Sequence, residues 1–304
     1  MKDPNQSSSP EFFWPPPVKP GDLIAVAAPA SPVDCNLCQA GVRILEDAGL
    51  RVLCGPDVFA ARAWGREADR GLARRFQEIW LNPDIKAVIG ARGGYGSLKL
   101  LPHLEVTSLQ EHPKRLIGFS DLTNLLLHFH YRLRFVTFHG PTVAQLPSLT
   151  PGARQSFFHW LTAAGPQTFS YQGLTVLHQG AAQGHLAGGN LTTLCHLLGT
   201  PYAPRFNGTL LFLEDHNEAV YRLDRLMHHL LFSGVLEGVK GIILGSFTGS
   251  NDQDSLLEVM QTALKPLNVP VLAGLPVGHH PDNYTLPLGA AALLDSQTAS
   301  LTFL

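Results

Sequence analysis

Residues 116–131 read LIGFSDLTNLLLHFHY. An apolar run stops at Gly118, turns through Ser120-Asp121 and continues as a helix. A strand that breaks sharply into a helix is the corner from which parallel α/β sheets are assembled. A serine on such a corner has its hydroxyl pushed out of the sheet edge, with backbone N–H groups of the new helix pointing toward it. That is how a nucleophile elbow presents a serine for acyl transfer. Ser and Asp also cap helix N-termini routinely. These residues alone therefore support two readings, a nucleophile or a cap.

The same alternation extends outward on both sides. LIAVAAPA (23–30) is a buried strand running into a loop, and CNLCQAGVRILEDAGL has helical spacing with a stop at Gly49. RVLCGP is a second strand; GREADRGLARRFQEIWLNP is a polar helix halted by Asn82-Pro83. IKAVIGA (85–91) is a third strand, RGGYG (92–96) a loop, SLKLLPHL a short helix, and FVTFHGP a closing strand. Strands alternating with helices predict βαβ units and a parallel sheet covered on both faces. Ligands of such sheets sit beyond the carboxyl ends of the strands. Ala30-Ser31, Arg92–Gly96 and Ser120-Asp121 all fall there, so three loops are predicted to converge on one edge.

Composition shifts divide the rest. Residues 1–19, rich in Pro and Ser, read as a disordered tail; 20–145 form the N-terminal α/β domain; 146–180, rich in Pro, Gly, Ser and Thr, read as a linker or crossover; 181–304 form a C-terminal domain. That last part opens on HLAGGNLTTLCHLLGTP and continues with the strand TLLFLED (209–215), an amphipathic helix, and further strand–helix–strand signals. It ends in a β-hairpin turning at Asp295–Gln297.

Bulk properties narrow the partners. Over 304 residues the formal net charge is only −2 and charged residues make up 15%, so there is no basic footprint for nucleic acid. No apolar stretch reaches the roughly 18 residues of a membrane span. The N-terminus carries no apolar secretory segment, which makes the cytoplasm the expected location. Four cysteines are too few for a disulfide scaffold, and Cys35-x-x-Cys38 has no second Cys or His pair to complete a zinc site. It reads as buried free thiols at a helix start. Glu214, Asp215, His216 and Glu218 cannot all reach one ion, because neighbours on a strand point to opposite faces. No HExxH occurs either, so no metal and no cofactor is expected.

Three further features carry chemistry. Arg92-Gly93-Gly94-Tyr95-Gly96 lacks the Gly-Lys-Ser/Thr ending of a P-loop and does not complete G-x-G-x-x-G. It is either a tight turn or a surface of backbone donors for an oxyanion or carboxylate. Arg92 adds a positive charge to it. Glu214 and Asp215 end an apolar strand, where a buried carboxylate needs a partner. His279 ends the apolar run VLAGLPVG. Serine, carboxylate and histidine at three strand ends are the three roles of a hydrolytic triad, although Leu122 replaces the second Gly of Gly-x-Ser-x-Gly.

GDLIAVAAPASP, IKAVIGARGGYGSLKLLPHL, LIGFSDLTNLLLHFH, FVTFHGP, GGNLTTLCHLLGTP, LLFLEDHNEAVYRLDRLMHHL, GIILGSF and GLPVGHHPDNYTLPLG occur in this order between about residues 20 and 290. The set resembles the LD-carboxypeptidases of peptidase family S66, the muramoyltetrapeptide carboxypeptidases. The resemblance implies an N-terminal flavodoxin-like parallel-sheet nucleophile domain and a smaller C-terminal swivelling β/β/α-type domain. It implies a catalytic triad of Ser120, Glu214 and His279, with backbone N–H groups of Asp121 and Gly94 as the oxyanion hole. Helix capping then falls to Asp121. The implied activity is release of terminal D-alanine from murein tetrapeptide stems in peptidoglycan recycling, through an acyl-enzyme. The implied partners are a muropeptide substrate and, in a homodimer, a second copy. Two departures stand out: the first loop reads APASP where APSS or APSG is common, and Asp215-His216 replaces Asp-Val. Within the family, microcin C immunity-type peptidases, which cleave a peptidyl- or aminoacyl-nucleotide amide, are the alternative; the short GTPYAPRFNGTLLFLED segment favours the cell-wall substrate. A non-catalytic ligand-binding relative is the remaining possibility.

Overall fold

The structure is a computed structural model that describes residues 12–249 and 253–304. Its first half runs β1 (Leu23–Ala27), α1 (Cys35–Asp47), β2 (Arg51–Cys54), α2 (Arg66–Leu81), β3 (Ile85–Gly90), α3 (Val106–Gln110), β4 (Arg115–Gly118), α4 (Thr123–His128) and β5 (Thr137–His139). These five strands pair in parallel in the order β2-β1-β3-β4-β5. That is the flavodoxin-like order, in which the chain reverses direction across the sheet at β1 and β3. Every residue of β4 is buried, and in β3 all but Lys86. Near-continuous apolar runs are what a sheet covered on both faces demands. Asp34 caps α1 by accepting the Leu37 N–H, and α2 buries Ala73, Phe76 and Trp80 on one stripe. α4 is buried on every side, because it lies between this sheet and the second one. The predicted helix beyond it ends as a π-turn over Phe129–Leu133.

The second half comprises α5 (Pro151–Thr162), β6 (Phe169–Tyr171), β7 (Thr175–His178), β8 (Ala181–Asn190), α6 (Leu191–Cys195), β9 (Thr209–His216), α7 (Val220–Phe232), β10 (Gly241–Thr248), α8 (Gln253–Leu264), β11 (Val271–Ala273), β12 (Leu286–Leu288), β13 (Ala291–Asp295) and β14 (Ser300–Phe303). The second sheet has eight strands in the order β6-β14-β13-β8-β9-β10-β11-β7. Its centre, β8 to β11, is parallel, and antiparallel strands flank it on both sides. The C-terminal hairpin forms as β13 and β14.

Three boundaries differ from the sequence reading. Residues 1–11 of the expected tail lie outside the described residues, but 12–19 are not a tail. Phe12 and Val18 are buried, and Phe13 bridges Phe135. Arg115 explains the anchoring: its fully buried guanidinium donates to the carbonyls of Pro15 and Pro16, as well as Trp160 and Ala163. The stretch 146–180 is no mere linker, since α5 buries Phe157 and Trp160 and the strands β6 and β7 form the two edges of the second sheet. Finally, β12 leaves the C-terminal half and pairs antiparallel with β5, completing the first sheet. The two halves share one continuous apolar core.

Candidate active site

The corner between β4 and α4 is the one the sequence indicates. Gly118 ends the strand, Phe119 is extended, and Ser120 sits at φ 62°. A non-glycine residue in the left-handed region costs on the order of 1–3 kcal/mol and persists only where its surroundings hold it. The RGGYG loop supplies that support. A Cβ on Gly93 would stand 2.8 Å from Ser120 Cβ and 2.9 Å from its Oγ, so only glycine fits against the serine. Gly94 follows at φ 121°, beside Ser31. The Tyr95 N–H donates to Ser31 Oγ at 3.1 Å. The three loops therefore meet at one edge, and the first loop offers its hydroxyl from Ser31, next to the alanine at position 30.

Asp121 does not cap its own helix. No side chain caps the turn at Ser120 or the start of α4. The Asp121 carboxylate instead accepts the Ser97 N–H at 2.8 Å, and the Ser97 hydroxyl donates to the Asp121 carbonyl at 2.5 Å. Asn124 donates to that carbonyl and to Ser97 Oγ. The reason is proximity in space: Ser97 opens the turn that follows RGGYG, and its orphan N–H points at the buried carboxylate. Burial pushes the Asp121 carboxyl up, while the donors at Ser97 and Gly96 and the charge of Arg62 pull it down.

Glu214 and Asp215 lie near the end of β9 and, being neighbours on a strand, face opposite ways. Asp215 accepts from Asn190, from the Thr192 N–H and hydroxyl, and from the His216 N–H. It thereby joins β9 to the start of α6, whose N-cap is Asn190. Glu214 is fully buried and its Oε2 lies 2.8 Å from His279 Nδ1. Its other oxygen, Oε1, has no hydrogen-bond donor among the described residues. The His279 loop is shaped around this contact. Gly278 sits at φ 128°, where a Cβ would come within 2.7 Å of Glu214 Oε2, and its N–H donates to Asn283 Oδ1. Asn283 in turn donates to Gln145 of the first half.

The two halves meet at His279. The ring of Phe119, the residue before Ser120, packs 4.7 Å from the His279 ring. His216 stacks on the same imidazole at 4.8 Å with only 10° between planes. His139, buried at the end of β5, is pushed down to about 3 by burial first and by His279 second. Glu214 thus meets His279 directly, while Ser120 is brought to their side of the molecule by its neighbour Phe119. His279 lies in the loop beyond β11, which stops at Ala273, and not at the strand end that the sequence suggests. Arg92 is exposed in its loop. Cys38 faces Cys54, with sulfurs 3.7 Å apart, rather than Cys35, which is exposed. A cavity of about 860 Å³ lined by Tyr131, Arg132, Tyr202 and Arg205 shares no residue with this group.

Sequence reading missed the supports: Ser97 and Asn124 under Asp121, Ser31 under Tyr95, Asn283 and Gln145 behind His279, and Phe119 and His216 against its ring. Only Asn283, in a Pro-Asp-Asn turn, carried a local signal.

Comparison with known proteins agrees with the fold. Residues 24–140 match the LD-carboxypeptidase N-terminal domain and residues 183–294 the LD-carboxypeptidase C-terminal domain. The chain is 34% identical to the murein tetrapeptide carboxypeptidase of Pseudomonas aeruginosa, over 90% of this chain and 92% of that one. Among solved structures it is similar to muramoyltetrapeptide carboxypeptidase from Oxalobacter formigenes, with TM-score 0.81, 30% identity, and coverage of 92% and 97% of the two chains. It is also similar to MccF in complex with glutamyl sulfamoyl guanosine, with TM-score 0.86, 26% identity, and coverage of 97% and 98%.

Proposed function

The chain belongs to the LD-carboxypeptidase family and is a peptidase, and from that footing we propose that it is a serine carboxypeptidase releasing terminal D-alanine from murein tetrapeptide stems. The observation that carries the mechanism is the 2.8 Å contact between His279 Nδ1 and the fully buried Glu214 carboxylate. A carboxylate there fixes the Nδ1–H tautomer and leaves Nε2 as the base.

Ser120 attacks the carbonyl of the third stem residue while His279 Nε2 takes the hydroxyl proton. The tetrahedral oxyanion is received by the backbone N–H groups of Asp121 and Gly94. Asp121 lies in the first turn of a helical segment, where N–H groups have no carbonyl to serve, and its carbonyl and carboxylate are already held by Ser97. Collapse expels D-alanine, whose amine receives the proton from His279. Water then hydrolyses the acyl-enzyme by the same relay. Glu214 stabilises the imidazolium formed in each half. The reading carries with it a role in peptidoglycan recycling, a cytoplasmic location and homodimeric assembly.

D-alanine release from a tetrapeptide stem by wild type and Ser120→Ala tests it. A loss of about 10⁴-fold or more is expected in the variant; equal rates would overturn the assignment. Cleavage of an aminoacyl sulfamoyl nucleotide is the second reading, favoured by the TM-score of 0.86 to MccF. Sequence identity favours the murein substrate, at 34% against 27% for the microcin C7 self-immunity protein of Escherichia coli. Both substrates offered to one preparation decide between them.

A further inference from the structure

His216 has no part in the mechanism above, yet it touches the residue on which that mechanism turns. It ends β9 two positions beyond Glu214, and the period of a strand places both side chains on one face. The His279 ring therefore meets Glu214 at its Nδ1 edge and His216 across its plane, at 4.8 Å and 10°. An in-plane hydrogen bond fixes where Nδ1 lies but resists tilting of the ring only weakly. A face contact supplies what it lacks.

Thr248 ties the two histidines together. It ends β10, directly opposite His216 in the parallel register. Its Oγ1 donates to the His279 carbonyl at 3.1 Å and lies 2.7 Å from His216 Nδ1. A hydroxyl has one proton to give. Since that proton goes to His279, His216 Nδ1 must carry its own and donate it to Thr248. The His216 ring is thus held in one tautomer and one plane, with Nε2 left unprotonated.

We propose that His216, fixed by Thr248, is a positioning residue that sets the plane of the His279 imidazole so that Nε2 faces Ser120. The proposal rests on the serine peptidase reading for its kinetics, but the ring contact itself does not. The surroundings of His216 favour its neutral form. Burial first and His279 second lower its affinity for a proton, against the opposing pull of Glu214 and Asp215. His139, a third histidine, stands close enough to His279 to feel its charge. A neutral His216 can stay stacked when His279 becomes imidazolium in the reaction, since two adjacent cations would repel.

Labelling of Ser120 by a fluorophosphonate reports the general base without requiring the substrate to be known. His216→Ala, at an exposed position, is expected to keep the wild-type thermal midpoint and to label about 10- to 100-fold more slowly. His216→Phe retains a stacked ring and should stay within about threefold of wild type, with Thr248→Val in between. On the tetrapeptide the loss should fall on kcat, with KM unchanged. His216→Ala labelling as fast as wild type would overturn the proposal. So would a His216→Phe variant as slow as His216→Ala. If wild type itself is not labelled, the serine reading fails instead. The proposal is then judged by the NOE between the His216 and His279 rings in the free protein, whose absence refutes it.

Discussion

Arg115 and Glu214 are both fully buried charges, one at the start of β4 and the other near the end of β9. They are satisfied in opposite ways. Arg115 gives its donors to four backbone carbonyls, at Pro15, Pro16, Trp160 and Ala163, and lies 5.1 Å over the Phe138 ring. No carboxylate pairs with it among these contacts, and burial pushes it down to about 10. Glu214 has one partner, a loop histidine, and one oxygen with no donor among the described residues. A charge surrounded by fixed dipoles has its environment complete before anything binds. A charge with a single, titratable partner keeps capacity for the moment when that partner becomes a cation. The first arrangement holds the chain together; the second suits a proton relay.

The contrast breaks most visibly through Glu214→Gln. The amide is the same size, so urea unfolding should show little change. Turnover should fall by about 10³- to 10⁴-fold, because an amide can hold the wrong imidazole tautomer and cannot stabilise imidazolium. Arg115→Met is the converse. It orphans four carbonyls at once, and a loss of about 3–5 kcal/mol in unfolding free energy is expected, with activity per folded molecule unchanged. If Arg115→Met instead abolished turnover in folded protein, the division between a structural and a working charge would be wrong. Gly278→Ala attacks the working charge through the backbone. A methyl group 2.7 Å from Glu214 Oε2, on a residue at φ 128°, must displace the His279 loop. A loss of about 10²-fold in kcat is expected, measured beside a far-ultraviolet spectrum that stays native.

The same pair shows what sequence conveys. Glu214 is legible because TLLFLED is an apolar strand with a carboxylate at its end, an expensive arrangement without a purpose. The corner at Ser120 is legible because a run of apolar residues changes period from strand to helix across Gly118. Arg115 is not legible. Its partners are the carbonyls of FFWPPPV and of α5, and carbonyls leave no mark on residue identity. The Pro-rich stretch reads as a tail because composition reports how well a segment could pack by itself, not that an arginine one hundred residues away lacks acceptors. β12 crossing to the first sheet, β6 and β7 at the sheet edges, and His216 on His279 escape for the same reason. Periodicity reports that a face is buried; it does not say against what.

Asp121 lies between the two extremes and offers the smallest and most discriminating test. It is buried like Glu214, but its carboxylate is served by the Ser97 N–H, much as Arg115 is served by fixed backbone. Burial raises its pKa above the ordinary carboxylate value. A raised native pKa means that its stabilising contribution is full below the unfolded value of about 3.9 and is lost as pH rises through the native value. Asp121→Asn escapes that loss, and its amide oxygen can still accept from Ser97. The variant should therefore match wild type in urea unfolding near pH 4 and exceed it at pH 7, by about 1 kcal/mol, the scale of one exchanged hydrogen bond. Its backbone N–H is unchanged, so turnover should stay within a few fold. A variant less stable than wild type at both pH values would mean that the ionised carboxylate, not the oxygen it presents, holds the RGGYG loop against Ser120. Asp121 would then belong with Glu214 among the charges that work, rather than with Arg115 among those that bind the fold.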